Sequence, residues 1–182
     1  MKKLSYLIVA ALLLSACAKE QLPQANYDII PQPKEVTLNE EKPFELSQKT
    51  VIRYENGLQR EAQFLSEYVK DIMGFAMDIQ EYQSQIDGIV LKLSPDDFDQ
   101  AEAYEINITP KQVIIKGADA SGVYYGIQTL RKSLPIPPLK VGQGGLKPNA
   151  HLSTAFPCGT IKDYPTFPYP GMHLDPCRPF IP

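Results

Sequence analysis

Side chains able to do chemistry crowd the carboxyl end of the chain. Residues 161–182 read IKDYPTFPYPGMHLDPCRPFIP, which sets Asp163, Asp175 and Arg178 among tyrosines, phenylalanines and prolines. A guanidinium presents five donors in a fixed fork and stays charged, so Arg178 can hold two hydroxyl groups of a ligand in one geometry. The plainer reading is an ion pair between Arg178 and Asp175, three residues earlier. Two glycine-free strings flank the segment's Gly171, and the short apolar stretch from Gly171 to Asp175 has the character of a buried strand.

Other reactive groups are scattered. Asp96, Asp97 and Asp99 bring three carboxylates into one loop, but the string lacks the glycine and the distal glutamate of a calcium loop, so a solvated acidic turn is expected. Cys158 and Cys177 can pair in an exported protein; they sit on segments with no evident reason to touch, and two buried thiols are the favoured reading. The two histidines, His151 and His173, have no close cysteine partner, so no zinc site and no cofactor are expected. A net charge of −3 without a Lys/Arg block argues against nucleic acid as a partner.

The amino end carries an address. Lys2 and Lys3 precede an apolar run over residues 4–14 that is too short for a good membrane span. Leu14-Ser15-Ala16-Cys17 resembles a bacterial lipobox, which makes residues 1–17 a lipoprotein signal peptide and Cys17 the lipidation site. An ordinary signal peptide is the alternative. Acylation contributes about 0.8 kcal/mol per buried methylene, so the expectation is an exported lipoprotein, membrane-anchored, on the periplasmic side or the cell surface. Residues 18–28 read as a polar tether.

Between the two ends lies the material that must position any site. Residues 36–38, 44–46 and 50–54 alternate or branch at Cβ as short strands do. Asn56-Gly57 breaks the pattern, with Asn56 a candidate cap. Leu58, Ala62, Leu65, Val69 and Ile72 then recur at helical spacing up to Gly74, a left-handed terminator. Residues 77–82 and 89–93 are the next strands. Tyr104, Ile106 and Ile108, then Val113 and Ile115, alternate around Thr109-Pro110 as a hairpin. Asp119 can cap a second helix whose buried stripe is Val123, Ile127, Leu130 and Leu134, stopped by Pro135. Gly122 and Gly126 are four apart, so they share a helix face and admit another backbone. Tyr124 and Tyr125 can stack on a sugar, although core or interface aromatics are the plainer reading. Eight of the 17 prolines fall in the last 35 residues, which argues against helix there.

Three phrases carry a resemblance. Glu102-Ala103-Tyr104-Glu105-Ile106, Val113-Ile114-Ile115, and Gly122-Val123-Tyr124-Tyr125-Gly126-Ile127-Gln128-Thr129-Leu130 are similar to the accessory-domain signature of the β-N-acetylhexosaminidases of glycoside hydrolase family twenty. The opening Pro31-Gln32-Pro33 and the final segment from Asp163-Tyr164-Pro165 are similar to that family too. Pro170, Pro176 and Pro179 depart from its usual residues, and prolines suit a central parallel strand poorly.

The resemblance implies an α+β fold: a small mixed or antiparallel sheet with two helices on one face, followed by the truncated start of a TIM barrel. The expected boundaries are an accessory domain at 29–135, a linker at 136–160 and the first barrel segment at 161–182. It implies that Arg178 grips the hydroxyls of a terminal N-acetylhexosamine, with Asp175 beside it at the catalytic end of the barrel. It also implies a substrate-assisted retaining mechanism, in which a Glu protonates the leaving oxygen and a neighbouring Asp orients the substrate's acetamide. That mechanism departs from the two-carboxylate scheme. No acidic pair in this chain matches the family's Asp-Glu pair, so no catalytic residue is assigned here and the chain alone is expected to be inactive. N-acetylhexosamine-containing glycans are the expected partners of a full-length enzyme. A lipid-anchored glycan- or partner-binding module is the alternative, and the front of another glycosidase sharing the domain is a third reading.

Overall fold

The computed structural model describes residues 22–84, 87–135 and 153–166. In chain order the strands are β1 (Glu35–Leu38), β2 (Phe44–Leu46), β3 (Val51–Tyr54), β4 (Asp78–Glu81), β5 (Gly88–Leu93), β6 (Tyr104–Ile108), β7 (Gln112–Gly117), β8 (Thr154–Phe156) and β9 (Gly159–Asp163). Helix α1 (Gln59–Met73) lies between β3 and β4, and helix α2 (Ala120–Ser133) follows β7. Seven strands form one mixed sheet in the order β1-β9-β6-β7-β5-β3-β4, and β2 pairs with β8 apart from it. Strands β7, β5, β3 and β4 run parallel, whereas β6 joins β7 and β9 antiparallel. The fold is therefore the expected mixed sheet with two helices.

The two faces of the sheet differ in kind. Ile52, Ile89, Leu91, Ile106, Ile108, Val113 and Ile115 are buried in one cluster with Ala62, Leu65, Val69 and Met73 of α1 and Val123, Ile127 and Leu130 of α2. Each such side chain contributes about 1.5–3 kcal/mol when fully buried. The alternate residues carry ion pairs instead: Lys92 with Glu55 at 3.8 Å, Lys116 with Asp97 at 3.0 Å, and Lys162 with Glu105 at 3.0 Å. Exposed pairs of this kind contribute about 0–1 kcal/mol each. Stability therefore resides between the sheet and the helices. The acidic loop is the expected solvated turn: Asp96, Asp97 and Asp99 are exposed, and Asp97, in a single 3-10 turn, also pairs with Lys116.

The two helices start differently. Helix α2 begins as expected, with the Asp119 carboxylate accepting from Gly122 N at 2.8 Å. The other oxygen of Asp119 accepts from Glu102 N at 3.0 Å, and Glu102 has a φ of 64°. One side chain thus fixes both the helix start and the unusual backbone entering β6. Helix α1 does not use Asn56. Leu58 N donates to Glu55 O at 3.0 Å, and Leu58 occupies the cap position with its side chain fully buried. Hydrophobic anchoring at the entry replaces the polar cap. At its far end Gly74 adopts φ 80° and returns its N–H to Lys70 O at 2.9 Å, the left-handed stop the sequence suggested.

Several boundaries move. Residues 22–28 are not tether: Ala25 N donates to Ala155 O, Ala155 N to Pro23 O, and Ala25 and Tyr27 are buried. The stretch from residue 153 is not linker, because β8 pairs with β2 and its Phe156 is wholly buried. Nor does residue 161 open a separate barrel. Ile161 lies in β9 opposite Ile106 and Val36, inside the same sheet. Its alternating pattern fits the sheet, and Pro165 just beyond cannot donate to a further ladder. In strand β1, Val36 and Leu38 are 37% and 51% exposed. Being at the sheet's edge, it lies outside the strands that the helices cover. Cys158 is buried, its thiol 3.2 Å from Lys42 O, and pairs with no described cysteine. Residues 171–182, with Asp175, Cys177 and Arg178, lie outside the described residues, as do Cys17, His151 and Pro170.

Gly122 brings helix α2 against the backbone that enters β6. A Cβ there would stand 2.3 Å from Ala103 O, a backbone atom that cannot swing aside. The variant Gly122→Ala is expected to lose roughly 1–3 kcal/mol through overpacking, read as a lower urea midpoint. Ser121→Ala, one residue earlier and exposed, should stay within about 0.5 kcal/mol.

Candidate functional site

A cleft of about 240 Å³ opens where β6, β9, α2 and the amino-terminal segment meet. Its floor follows from sheet register: Tyr104, first in β6, stands opposite Asp163, last in β9. Its side wall follows from helix geometry. Tyr125, Gln128, Thr129 and Lys132 fall at i, i+3, i+4 and i+7, hence on one face of α2. Ile29 and Pro31 close one side, and Glu102, Tyr164 and Pro165 complete the lining. Lys132 Nζ donates to Ile30 O at 3.0 Å, which fastens the amino-terminal segment to the helix.

The polar groups of the floor are linked. The Tyr104 and Thr129 hydroxyls are 2.5 Å apart and buried, and Tyr104 also reaches Asp163 Oδ2 at 3.5 Å. The other Asp163 oxygen accepts from Lys34 N at 3.4 Å. Lys34 Nζ donates to Thr166 Oγ1 at 2.7 Å and lies 5.8 Å from the centre of the Tyr164 ring. The Asp163 bonds are long, so its carboxylate retains capacity for a further donor. Glu102 has its main-chain N–H committed to Asp119, while no described residue bonds its carboxylate.

The neighbouring tyrosines of α2 part company here. Successive helical residues point about 100° apart. Tyr124 turns toward α1, where it meets Phe64 edge-on at 5.9 Å. Phe64 in turn stacks near Tyr68 and under Arg60. Hydrogen bonds from Tyr124 and then Gln128 push the Tyr68 hydroxyl below its ordinary range. Tyr125 instead reaches the cleft and remains 40% exposed, much like Tyr164 at 43%. The sequence marked the Tyr124-Tyr125 pair without separating the two roles. It gave no sign that Glu102, Gln128 and Lys132 would join Asp163, because they come from distant points of the chain. Arg178, Asp175 and Cys17, the residues singled out for ligand binding and lipidation, lie outside the described residues.

Burial pushes the Tyr104 phenol well above its ordinary 10.0; the Thr129 bond pulls it back in part, and the Asp163 carboxylate adds to the rise. The folded protein thus favours the neutral phenol. Its contribution to stability is complete below pH 10.0 and is lost as the pH climbs from there toward the raised folded value. Tyr27, raised chiefly by burial, acts with the same sign. Urea midpoints measured from about pH 8 to pH 11 should fall steeply above pH 10. Tyr104→Phe should shallow that fall without abolishing it, at the cost of an unpaired Thr129 hydroxyl.

Comparison with known proteins agrees with this architecture. Residues 26–164 match the family model described as glycosyl hydrolase family 20, domain 2. A β-hexosaminidase of Porphyromonas gingivalis is 29% identical over 192 aligned positions, which take in 100% of this chain but 24% of that protein. A β-hexosaminidase of Akkermansia muciniphila is 31% identical over 83 positions, covering 46% of the chain and 14% of the relative. The chain therefore spans a quarter or less of the curated relatives it matches. Among solved structures, the GH20 β-N-acetylhexosaminidase of Streptomyces coelicolor A3(2) superposes with a TM-score of 0.58 at 26% identity, over 77% of this chain and 27% of that one. The GH20 exo β-N-acetylglucosaminidase of Vibrio harveyi gives 0.58 at 20% identity, over 85% and 21%, a likeness of fold. The family match runs from the buried Tyr27 segment through the whole mixed sheet to the Asp163-Tyr164 corner of the cleft, and on that extent the chain belongs to glycosyl hydrolase family 20.

Proposed function

We propose that this chain serves as the accessory α/β domain of an exo-acting β-N-acetylhexosaminidase, an enzyme that removes terminal non-reducing N-acetyl-D-hexosamine residues from glycans. The observation that carries this reading is the family match over residues 26–164, which coincides with the limits of the folded sheet. The name of the Porphyromonas gingivalis relative, a β-hexosaminidase aligned along the entire chain, supports it.

In this reading the domain is a support. Glycoside cleavage by substrate assistance needs an acid to protonate the leaving oxygen and a carboxylate to orient the acetamide. Several described carboxylates have structural partners: Asp119 caps a helix, Glu105 and Asp97 pair with lysines, and Asp163 accepts from Tyr104 and Lys34. The acid pair would come from polypeptide following this domain. Arg178, with Asp175 beside it, would grip hydroxyls of the terminal sugar through the guanidinium fork. Lipidation at Cys17 would anchor the enzyme at a bacterial membrane, where exported glycans are within reach.

An assay on an aryl N-acetyl-β-glucosaminide tests the division of labour. The chain of residues 1–182 is expected to release aryl alcohol no faster than buffer, whereas the same chain extended by its downstream coding sequence should turn over. Turnover by the short chain, or none by the extended one, would remove this reading.

A further inference from the structure

The turn that carries the chain from β3 into α1 holds an asparagine followed by a glycine. Glu55, Asn56, Gly57 and Leu58 close it through a main-chain bond from Leu58 N to Glu55 O at 3.0 Å. Gly57 has φ 92°, a value that the third position of a type II turn requires. Both Asn56 and Gly57 are exposed, beside an open polar hollow of about 590 Å³ that Tyr54, Arg60 and Glu81 also line. Water and a solvent base therefore reach them freely.

Four asparagines are described, and their surroundings differ. Asn26 and Asn39 use the side-chain oxygen to accept from Asp28 N at 2.9 Å and Glu41 N at 3.1 Å. Asn107 lies within β6 and donates to Thr160 Oγ1 at 3.4 Å. Each of these is followed by a larger residue, Tyr27, Glu40 or Ile108. Helix α1 takes Leu58 at its cap position, which leaves the Asn56 side chain unused. Among the described residues nothing bonds the Asn56 amide or the Gly57 N–H, and a Cβ on Gly57 would meet no atom within 4 Å. The related pair Asp87-Gly88 is held still: Gly88 N donates to Lys111 O at 3.2 Å, and Arg53 pairs with the Asp87 carboxylate.

We propose that Asn56 is a site of spontaneous deamidation, with the Gly57 nitrogen as nucleophile. A solvent base removes the Gly57 amide proton, and the nitrogen attacks Asn56 Cγ. The new C–N bond closes a succinimide ring, the Cγ–Nδ2 bond breaks, and the side-chain nitrogen leaves as ammonia. Water then opens the ring at one of its two carbonyls. Opening at Cγ gives aspartate. Opening at the main-chain carbonyl gives isoaspartate, whose backbone runs through the side chain and is one methylene longer. Nothing is oxidised or reduced, and water and base are the only co-reactants. Glycine favours the closure because it brings no side chain, and the Asn56–Gly57 peptide can turn over between type I and type II geometry with the ends of the turn in place.

The two products differ in what they do to the fold. Aspartate adds a negative charge at the amino end of α1, where the helix dipole favours it. Isoaspartate lengthens the chain between two anchors. One is Leu58, whose side chain is wholly buried. The other is Glu55, whose N–H donates to Leu91 O at 3.0 Å and whose carboxylate accepts from Leu93 N at 2.9 Å. A packed interior accommodates an added methylene poorly, so the strain falls on the carboxyl ends of β3 and β5.

The test is to hold the full chain, folded, at mildly alkaline pH in water enriched in heavy oxygen, then map its peptides by mass spectrometry with fragmentation that separates aspartate from isoaspartate. Conversion is expected at Asn56, with uptake of labelled oxygen and a rate that rises with hydroxide, while Asn26, Asn39 and Asn107 stay intact. Asn56→Gln, whose longer side chain closes the ring poorly, should abolish the reaction and keep the parent urea midpoint. The isoaspartate form, isolated by ion exchange, should unfold at a lower urea midpoint than the parent, and Asn56→Asp should not. An Asn56 amide that survives in the folded chain but is lost in urea would overturn the inference. Earlier loss at Asn26, Asn39 or Asn107, or an isoaspartate form as stable as the parent, would overturn it too.

Discussion

Helix α2 lies against the β6–β7 hairpin at a distance that permits no side chain at its two closest points. Gly122 rests on the Ala103 carbonyl, and Gly126 on Ile115 and Tyr104. The contacts at this end of the sheet follow from that approach. With the helix drawn close, Asp119 reaches both Gly122 N and Glu102 N, so the strand entry and the helix start are held by one carboxylate. The same closeness brings Thr129 onto the Tyr104 hydroxyl and sets the residues 125, 128, 129 and 132 along the wall of the cleft. Interiors are packed nearly as densely as organic crystals, so a shift of the helix by one methyl group would be felt across all of these contacts.

Packing also accounts for the division between the two sheet faces. The helix-covered face concentrates branched apolar residues, where burial is worth most. The opposite face satisfies its charges in pairs whose net contribution is small. Arg53 joins the two regimes: buried within the opposite face, it donates to Asp87 O at 2.7 Å and pairs with the Asp87 carboxylate. A charge taken that far from water is retained only with such partners.

The family assignment and the cleft describe different levels of the same molecule. The match along residues 26–164 follows the sheet and its helices, which fix the fold. The cleft lies where that sheet ends, at the Asp163-Tyr164-Pro165 corner, and draws on side chains that the fold positions without requiring.

By itself the sequence determined the local elements. Period-two alternation marked β6 and β7, the 3.6-residue stripe marked both helices, and Asp119 and Gly74 marked a start and a stop, because these depend on neighbours within a few residues. The phrases around Gly122 were specific enough to point to the family. Only the tertiary structure decided where the domain ends and what its cleft contains. Residues 22–28 and 153–163 looked like tether, linker and barrel because short segments acquire their meaning from the strands they pair with, some of them more than a hundred residues away. For the same reason Leu58 displaced Asn56 at the first helix: burial of its side chain against distant strands outweighed a local hydrogen bond. Gln128 and Lys132 share a helix face, but no spacing ties them to Glu102 or Asp163, and their meeting is a product of register across β6 and β9 and of how close two glycines let a helix come.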